Sequence, residues 1–296
     1  MAFVNETSAE YVKAELDVFE VLPAQTRIEM SSYSQYHTLA PVNTGYFLEF
    51  QVEGSGSDYL DLSNMFLHVK AKVTQANGDD LPNDAIIAPV NYFLHAMFSQ
   101  IDIFLNGIQI TSSTDTYPYR AVIETMLSYG EDAKRTQLAS ALFVKDQAGR
   151  MNTIAVDDTS NPGFMSRRAM ARNSRTIDMM GRLHQDIFFQ TRYMLNDVTL
   201  KLRLNRSKNV FCLLGDGVRV IDILSAELFV RKVRLSPSVA VAHAKALEVS
   251  TAKCPIKRVI CKTFTIPNGL RDATQGKLFS GQLPTRLVVG LVSNEA

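Results

Sequence analysis

Arginines crowd one stretch of the chain. Ser166 to Arg175 follows the loop signal Asn161-Pro162-Gly163, and Arg182 extends the basic run. The planar forks of Arg167, Arg168, Arg172, Arg175 and Arg182, opposed nearby by Asp178 alone, suit bidentate contact with phosphate, so nucleic acid is one candidate partner. Stacking on single-stranded bases would need aromatic residues between the arginines, and none stands between Ser166 and Arg175. A solvated loop, or one resting on another subunit, is the favoured reading. The histidines, His37, His68, His95, His184 and His243, share no metal-ligand spacing with one another or with a cysteine. His184-Gln185-Asp186 resembles half of a cupin ligand set, without the second half. His68 falls on the polar face of a strand pattern and His95 in an apolar stretch, where hydrogen-bonded structural roles are expected. Gly54-x-Gly56 lacks the third glycine of a phosphate cradle, and no Gly-x-Ser-x-Gly elbow occurs. Cys212, Cys254 and Cys261 are too unevenly spaced for a disulfide framework or a zinc site. No catalytic residue, metal or cofactor is nominated, and the expectation is a protein that is not an enzyme.

These residues must sit on a folded body. The chain has 296 residues, 46% of them hydrophobic and 21% charged, with a net charge of +1, which argues against disorder. No stretch is long and apolar enough to span a membrane, and the first residues lack the basic and apolar blocks of a secretory signal. The near-zero charge hides a split. Residues 1–63 carry ten acids against Lys13 and Arg27, whereas 201–262 carry thirteen bases against Asp216, Asp222, Glu227 and Glu248. Either the two stretches face different partners, or the fold interleaves and neutralises them.

The pattern is mostly period two. Leu48, Phe50 and Val52 alternate with Glu49, Gln51 and Glu53; Leu67, Val69, Ala71 and Val73 alternate with His68, Lys70 and Lys72. Val198, Leu200, Leu202 and Leu204 repeat the motif, and Ile221, Ile223, Leu228 and Val230 predict one or two more strands. Leu105-Asn106-Gly107-Ile108 is a hairpin signal, because a type I′ turn needs positive φ at both central residues. Helices are predicted only in connections: one opened by Tyr117-Pro118 and stopped at Gly130, one over Glu131–Leu142, and one from Ser236-Pro237 to Glu248. Ile256–Ile266 and Arg286–Val292 read as further strands. This is an all-β chain with short helices in its loops, a sandwich or a jelly roll and not a nucleotide-binding α/β fold.

Several stretches in order resemble one family, the double jelly-roll major capsid proteins of Polinton/Maverick-type elements and adintovirus-like viruses. They are Gly54–Asn64, Pro89–Asn91 through Leu105–Gly107, Tyr117–Tyr129, Gly181–Gln190, Phe229–Leu247, Phe264–Pro267 and Gly281–Val292. The resemblance implies an N-terminal arm over 1–44 and a first jelly roll over 45–235 with a long insertion at about 112–182. It further implies a connecting helix over 236–252 and the start of a second, incomplete jelly roll over 253–296; the chain looks truncated relative to the family. The implied function is the structural subunit of an icosahedral viral capsid, a homotrimer forming a pseudo-hexameric, hexon-like capsomer. Its implied partners are neighbouring capsomers, a minor capsid or penton protein and packaged DNA. The implied place is the virion capsid, after synthesis in the host cytoplasm and assembly in the nucleus. A domesticated or decayed capsid-derived binding module without assembly activity is the alternative.

Overall fold

The computed structural model describes residues 24–43, 45–54, 56–154, 156, 161–269, 272–276, 278–279 and 281–292. Its strands are β1 (Ile28–His37), β2 (Phe47–Val52), β3 (Asp58–Gln75), β4 (Ile87–Pro89), β5 (Phe98–Leu105), β6 (Ile108–Gln109), β7 (Ile177–Gly181), β8 (Leu200–Arg206), β9 (Leu213–Gly215) and β10 (Arg219–Leu235). Two four-stranded sheets have the orders β1-β10-β3-β7 and β2-β8-β5-β6, and β4 and β9 form a small separate pair. Every pairing is antiparallel. The pairs nest: β1 lies on β10, β2 on β8, β3 on β7 and β5 on β6. A long hairpin folded on itself and then rolled up, so that β10 also meets β3 and β8 also meets β5, is a jelly roll.

The alternation is what buries the core. Leu48, Phe50, Leu67, Val69, Ile101, Ile103, Leu200, Leu202 and Leu228, the residues that the period-two pattern turns inward, are all buried in one cluster between the sheets. The hairpin from β5 to β6 turns at Asn106 and Gly107 with φ of 47° and 81°, pairing Leu105 with Ile108. Ile221 to Val230 belong to one continuous strand, β10, whose register shifts between Ile223 and Ser225 and again between Phe229 and Arg231. At the second shift β3 bulges, and buried Asp61 holds the irregular stretch by accepting from the Ser63 hydroxyl (2.6 Å), the Asn64 amide (2.8 Å) and Arg231 (3.2 Å).

The short helices lie in connections: α1 (Phe93–Ala96), α2 (Tyr117–Ser128), α3 (Glu131–Arg135), α4 (Pro162–Ala171), α5 (Asn209–Cys212) and α6 (Pro237–Val249). The helix expected over Glu131–Leu142 breaks. It gives α3, then a 3-10 turn at Gln137–Ala141 stopped by Leu142 at φ 59°, a conformation held because Ala141, Leu142 and Phe143 are all buried there. The arginine segment, expected as a loop, is helical over most of its length: α4 holds Arg167 and Arg168, a 3-10 turn at Arg172–Ser174 follows, and Arg175 and Arg182 lie outside any helix. Asn161 caps α4 by accepting from the Phe164 amide (3.4 Å) and Pro162 opens it, so the residues that signalled a loop signal a helix start.

Two further departures concern the ends. Ile28–His37, within the stretch taken as an arm, is the edge strand β1, while residues 1–23 of that arm lie outside the described residues. Beyond Ser250 the described residues form no strand, so Ile256–Ile266 and Arg286–Val292 do not take the β structure that their pattern predicted. Neither segment pairs with a strand among the described residues, and a lone apolar alternation has no ladder to join. Ile260, Phe264, Ile266, Leu287, Val289, Leu291 and Val292 are exposed.

Candidate functional site

The arginines divide between internal ties and open surface. Arg167 is 0% exposed; it donates from Nε to the Pro89 carbonyl (2.7 Å), from Nη2 to Asp146 Oδ1 (2.8 Å) and from Nη1 to the Val144 carbonyl. Arg168 donates to the carbonyls of Ala85 (2.7 Å) and Asp84 (3.1 Å), and Arg172 to the side chain of Asn83. These three tie α4 to the segment that leads into and forms β4. Arg182 donates to the Phe188 carbonyl (3.0 Å) and lies 5.2 Å from the Phe189 ring centre. Arg172 and Arg175 are the exposed members of the group.

A buried polar cluster lies where α1, α2 and the 183–190 turn meet. The rings of His95 and His184 are 4.9 Å apart and edge-on. His184 Nδ1 is 2.9 Å from Glu124, and because a carboxylate only accepts, this nitrogen carries the proton. His184 Nε2 lies 2.8 Å from the Tyr92 hydroxyl. Tyr117 Oη accepts from the His184 amide (3.3 Å) and donates to His95 Nδ1 (2.8 Å). Arg120 joins Glu124 (2.9 Å) to Asp186 (2.6 Å). Burial, and then the neighbouring His184, hold His95 well below its ordinary 6.5. Burial raises Glu124, but His184 and Arg120 outweigh it and leave the carboxyl below its usual value. The tyrosine hydroxyls of Tyr92 and Tyr117 are pushed up by burial. The Arg120/Glu124 pair, four residues apart on α2, was the available sequence signal for this cluster.

The outer face of the β1-β10-β3-β7 sheet carries a row crossing all four strands. His37 is 3.9 Å from Glu227, Glu227 is 3.2 Å from His68, and His68 is 2.6 Å from Asp178. Three acids of the N-terminal stretch meet bases of the later stretch elsewhere on the two sheets, while its acids from Glu6 to Glu20 lie outside the described residues. Asp58 pairs with Arg234, Asp61 with Arg231, and Glu49 with Lys201 and Arg203, because β3 lies on β10 and β2 on β8. The Arg234 guanidinium holds the Asp58 carboxyl below its ordinary value. Among the described residues, no group of three or more His, Cys, Asp or Glu is arranged to hold a metal ion. Burial pushes the Cys212 thiol up to about 12, which keeps it protonated and unreactive. An open cleft of about 390 Å³, lined by Tyr36, Leu39, Gln51, Glu53, Gly54 and Lys232, lies beside β1 and β2. Among the described residues, no helix is long and apolar enough to cross a membrane.

No protein-family model matches the chain. Among curated proteins it is 24% identical over 261 residues to an uncharacterised protein of Caenorhabditis elegans, a match covering 84% of this chain and 59% of that one. Among solved structures, a chain of the Sputnik virophage cryo-EM structure superposes with a TM-score of 0.50 at 12% identity, covering 79% of this chain and 53% of that one. The Faustovirus major capsid protein superposes at 0.44 with 10% identity, covering 81% and 59%, and the mavirus major capsid protein at 0.39 with 12% identity, covering 80% and 54%. The chain therefore spans between half and three fifths of the length of these four proteins. The all-β jelly-roll expectation holds: antiparallel sheets with short helices form the fold found in the virophage chain.

Proposed function

We propose that this chain is a structural, non-enzymatic subunit of an icosahedral viral capsid, belonging with the double jelly-roll capsid proteins of Polinton/Maverick-type elements. The observation that carries the reading is the nested eight-strand roll, superposable on the virophage chain over 79% of this sequence. A rigid roll buries its core locally and leaves long loops, here the connection from β6 to β7, to make large contacts with other copies. In this reading α6 leads out of the first roll, and the exposed apolar residues of 256–266 and 287–292 belong to a second roll. Three copies form a pseudo-hexameric capsomer that meets its neighbours and a penton protein in the virion. Synthesis is in the host cytoplasm and assembly is nuclear. Arg172 and Arg175 are the group's candidates for contact with packaged DNA or an adjoining subunit.

The test is assembly. Sedimentation velocity of the longer Caenorhabditis relative at micromolar concentration is expected to give trimers, and a strict monomer would refute the capsomer reading. The match to a nematode protein favours a second reading, a capsid-derived jelly-roll module kept in an animal genome without assembly. That module would remain monomeric in the same experiment.

A further inference from the structure

The buried histidine pair is wired to the surface. His184 bonds Glu124 (2.9 Å), Glu124 accepts from Arg120 Nε (2.9 Å), and Arg120 Nη2 donates to Asp186 Oδ1 (2.6 Å). The same Asp186 oxygen accepts the backbone amide of Val259 (3.1 Å). Val259 lies on an extended strap, residues 253–262, held at three more points. Arg192 donates to the Lys253 carbonyl (2.8 Å), the Cys254 thiol meets Gln190, and the Thr116 hydroxyl donates to the Cys261 carbonyl (3.3 Å). Thr116 immediately precedes α2, and Asp186, Gln190 and Arg192 lie in or just past the turn that carries His184. Thr116, Asp186 and Gln190 thus anchor the strap to α2 and to the turn of His184, the two elements that supply Tyr117, Glu124 and His184 to the cluster.

The cluster is balanced for neutral His95. Tyr117 accepts from the His184 amide, which leaves its own hydrogen for His95 Nδ1; in the neutral ring Nε2 then carries the hydrogen, and among the described residues that buried nitrogen has no hydrogen-bond partner. Gly181 of β7 stands beside it, and a Cβ there would lie 3.4 Å from this nitrogen. A second proton would turn Nδ1 into a donor and strip the Tyr117 proton of its acceptor. The groups facing His95 are Tyr92 beside its own turn, Tyr117 from α2 and His184 from the following turn. Those facing His184 are Glu124 and Thr125 from α2, Tyr92 and Phe189. Glu124 is committed to His184 and Arg120, and Asp186 to Arg120 and the strap, so neither carboxylate of the cluster is left to compensate a charge on His95.

We propose that the His95–His184 cluster is an acid-sensitive latch: mild acidification loosens α2 and the 183–190 turn from the sheets and releases the strap 253–262. The latch is a property of the folded chain itself and does not rest on the capsid reading. Because the folded state keeps His95 neutral, opening is the step that lets the ring take up a proton. Below about pH 6.5 the open form therefore gains up to about tenfold per pH unit.

Hydrogen exchange of the full chain at pH 7.5 and 5.5, with times scaled to the intrinsic amide rate, tests this directly. The Val259 amide and the rest of 253–262 are expected to lose about tenfold in protection at pH 5.5, while β8 keeps its protection. His95→Gln, which does not titrate, is expected to hold the loss below about twofold. Equal strap protection at both pH values, a parallel loss in β8, or an undiminished loss in His95→Gln would overturn the latch. If that variant does not fold, ring titration of His95 by NMR in the unaltered chain decides. Release that tracks ring protonation supports the latch, and a ring that takes its proton with Val259 still protected refutes it.

Discussion

Replacing Arg167 with alanine separates a structural tie from a surface contact. The side chain is wholly buried and satisfies the Pro89 and Val144 carbonyls and the Asp146 carboxylate, itself only 14% exposed. Arg167→Ala strands that carboxylate and two carbonyls at once. Removing one partner of a buried ion pair costs about 3–5 kcal/mol. For a chain of this size each kcal/mol moves the melting midpoint by about 2 °C, so a drop of about 6–10 °C is expected. Arg175→Ala, at an exposed position of the same segment, should stay within about 0.5 kcal/mol of the parent. Thermal denaturation followed by circular dichroism reads both, and salt-dependent retention of the same variants on immobilised duplex DNA reads any phosphate contact. An Arg167→Ala chain that melts like the parent but binds DNA less tightly would refute the argument and return Arg167 to the surface.

Leu202→Asp places an unpaired charge between the sheets, opposite Phe50 and Ile103, and should cost several kcal/mol; a soluble variant with unchanged melting would sink the core assignment. Gly215→Ala should destabilise the β4–β9 pair by at least about 2 kcal/mol, because φ is 134° there and a Cβ would meet the Ile86 carbonyl at 2.0 Å; denaturant titration measures it. Stability should fall as pH drops below 6.5. His95 is held below that value in the fold, so the unfolded chain binds the extra proton and gains up to about 1.4 kcal/mol per pH unit. Glu124, also held low, adds its own loss as pH falls below its ordinary 4.5, and urea unfolding from pH 8 to 4 should show both slopes.

Much of the roll was legible locally. In a pleated strand alternate residues face opposite sides, so the periods at Leu48–Val52, Leu67–Val73 and Leu200–Leu204 named core residues without any knowledge of their neighbours. The Asn106-Gly107 turn and the proline-opened helices α2 and α6 were equally local, set by φ preference and a missing amide. Strand partners were a different matter. Residues from Met30 to Tyr33 of β1 are all exposed, so this edge strand shows no alternation there, and its place depends on β10 about 200 residues away. Ile256–Ile266 shows the reverse case, an apolar strand pattern with no partner to make it a strand.

The chemistry divided the same way. Clustered arginines looked like one basic patch in sequence, and only the packing of α4 beside β4 took Arg167 out of reach of any partner. The opposed charge blocks could not say whether they neutralise each other until β3 met β10 and β2 met β8. The cluster of His95, Tyr117, Glu124 and His184 is assembled from elements up to 89 residues apart, and no short spacing encodes it. Side-chain periodicity and turn preference act between neighbours in the chain, so sequence determined which faces are apolar and where the chain turns. Ladder pairing, burial of charge and the meeting of the two histidines depend on which distant segments close upon one another, and only the tertiary structure decided them.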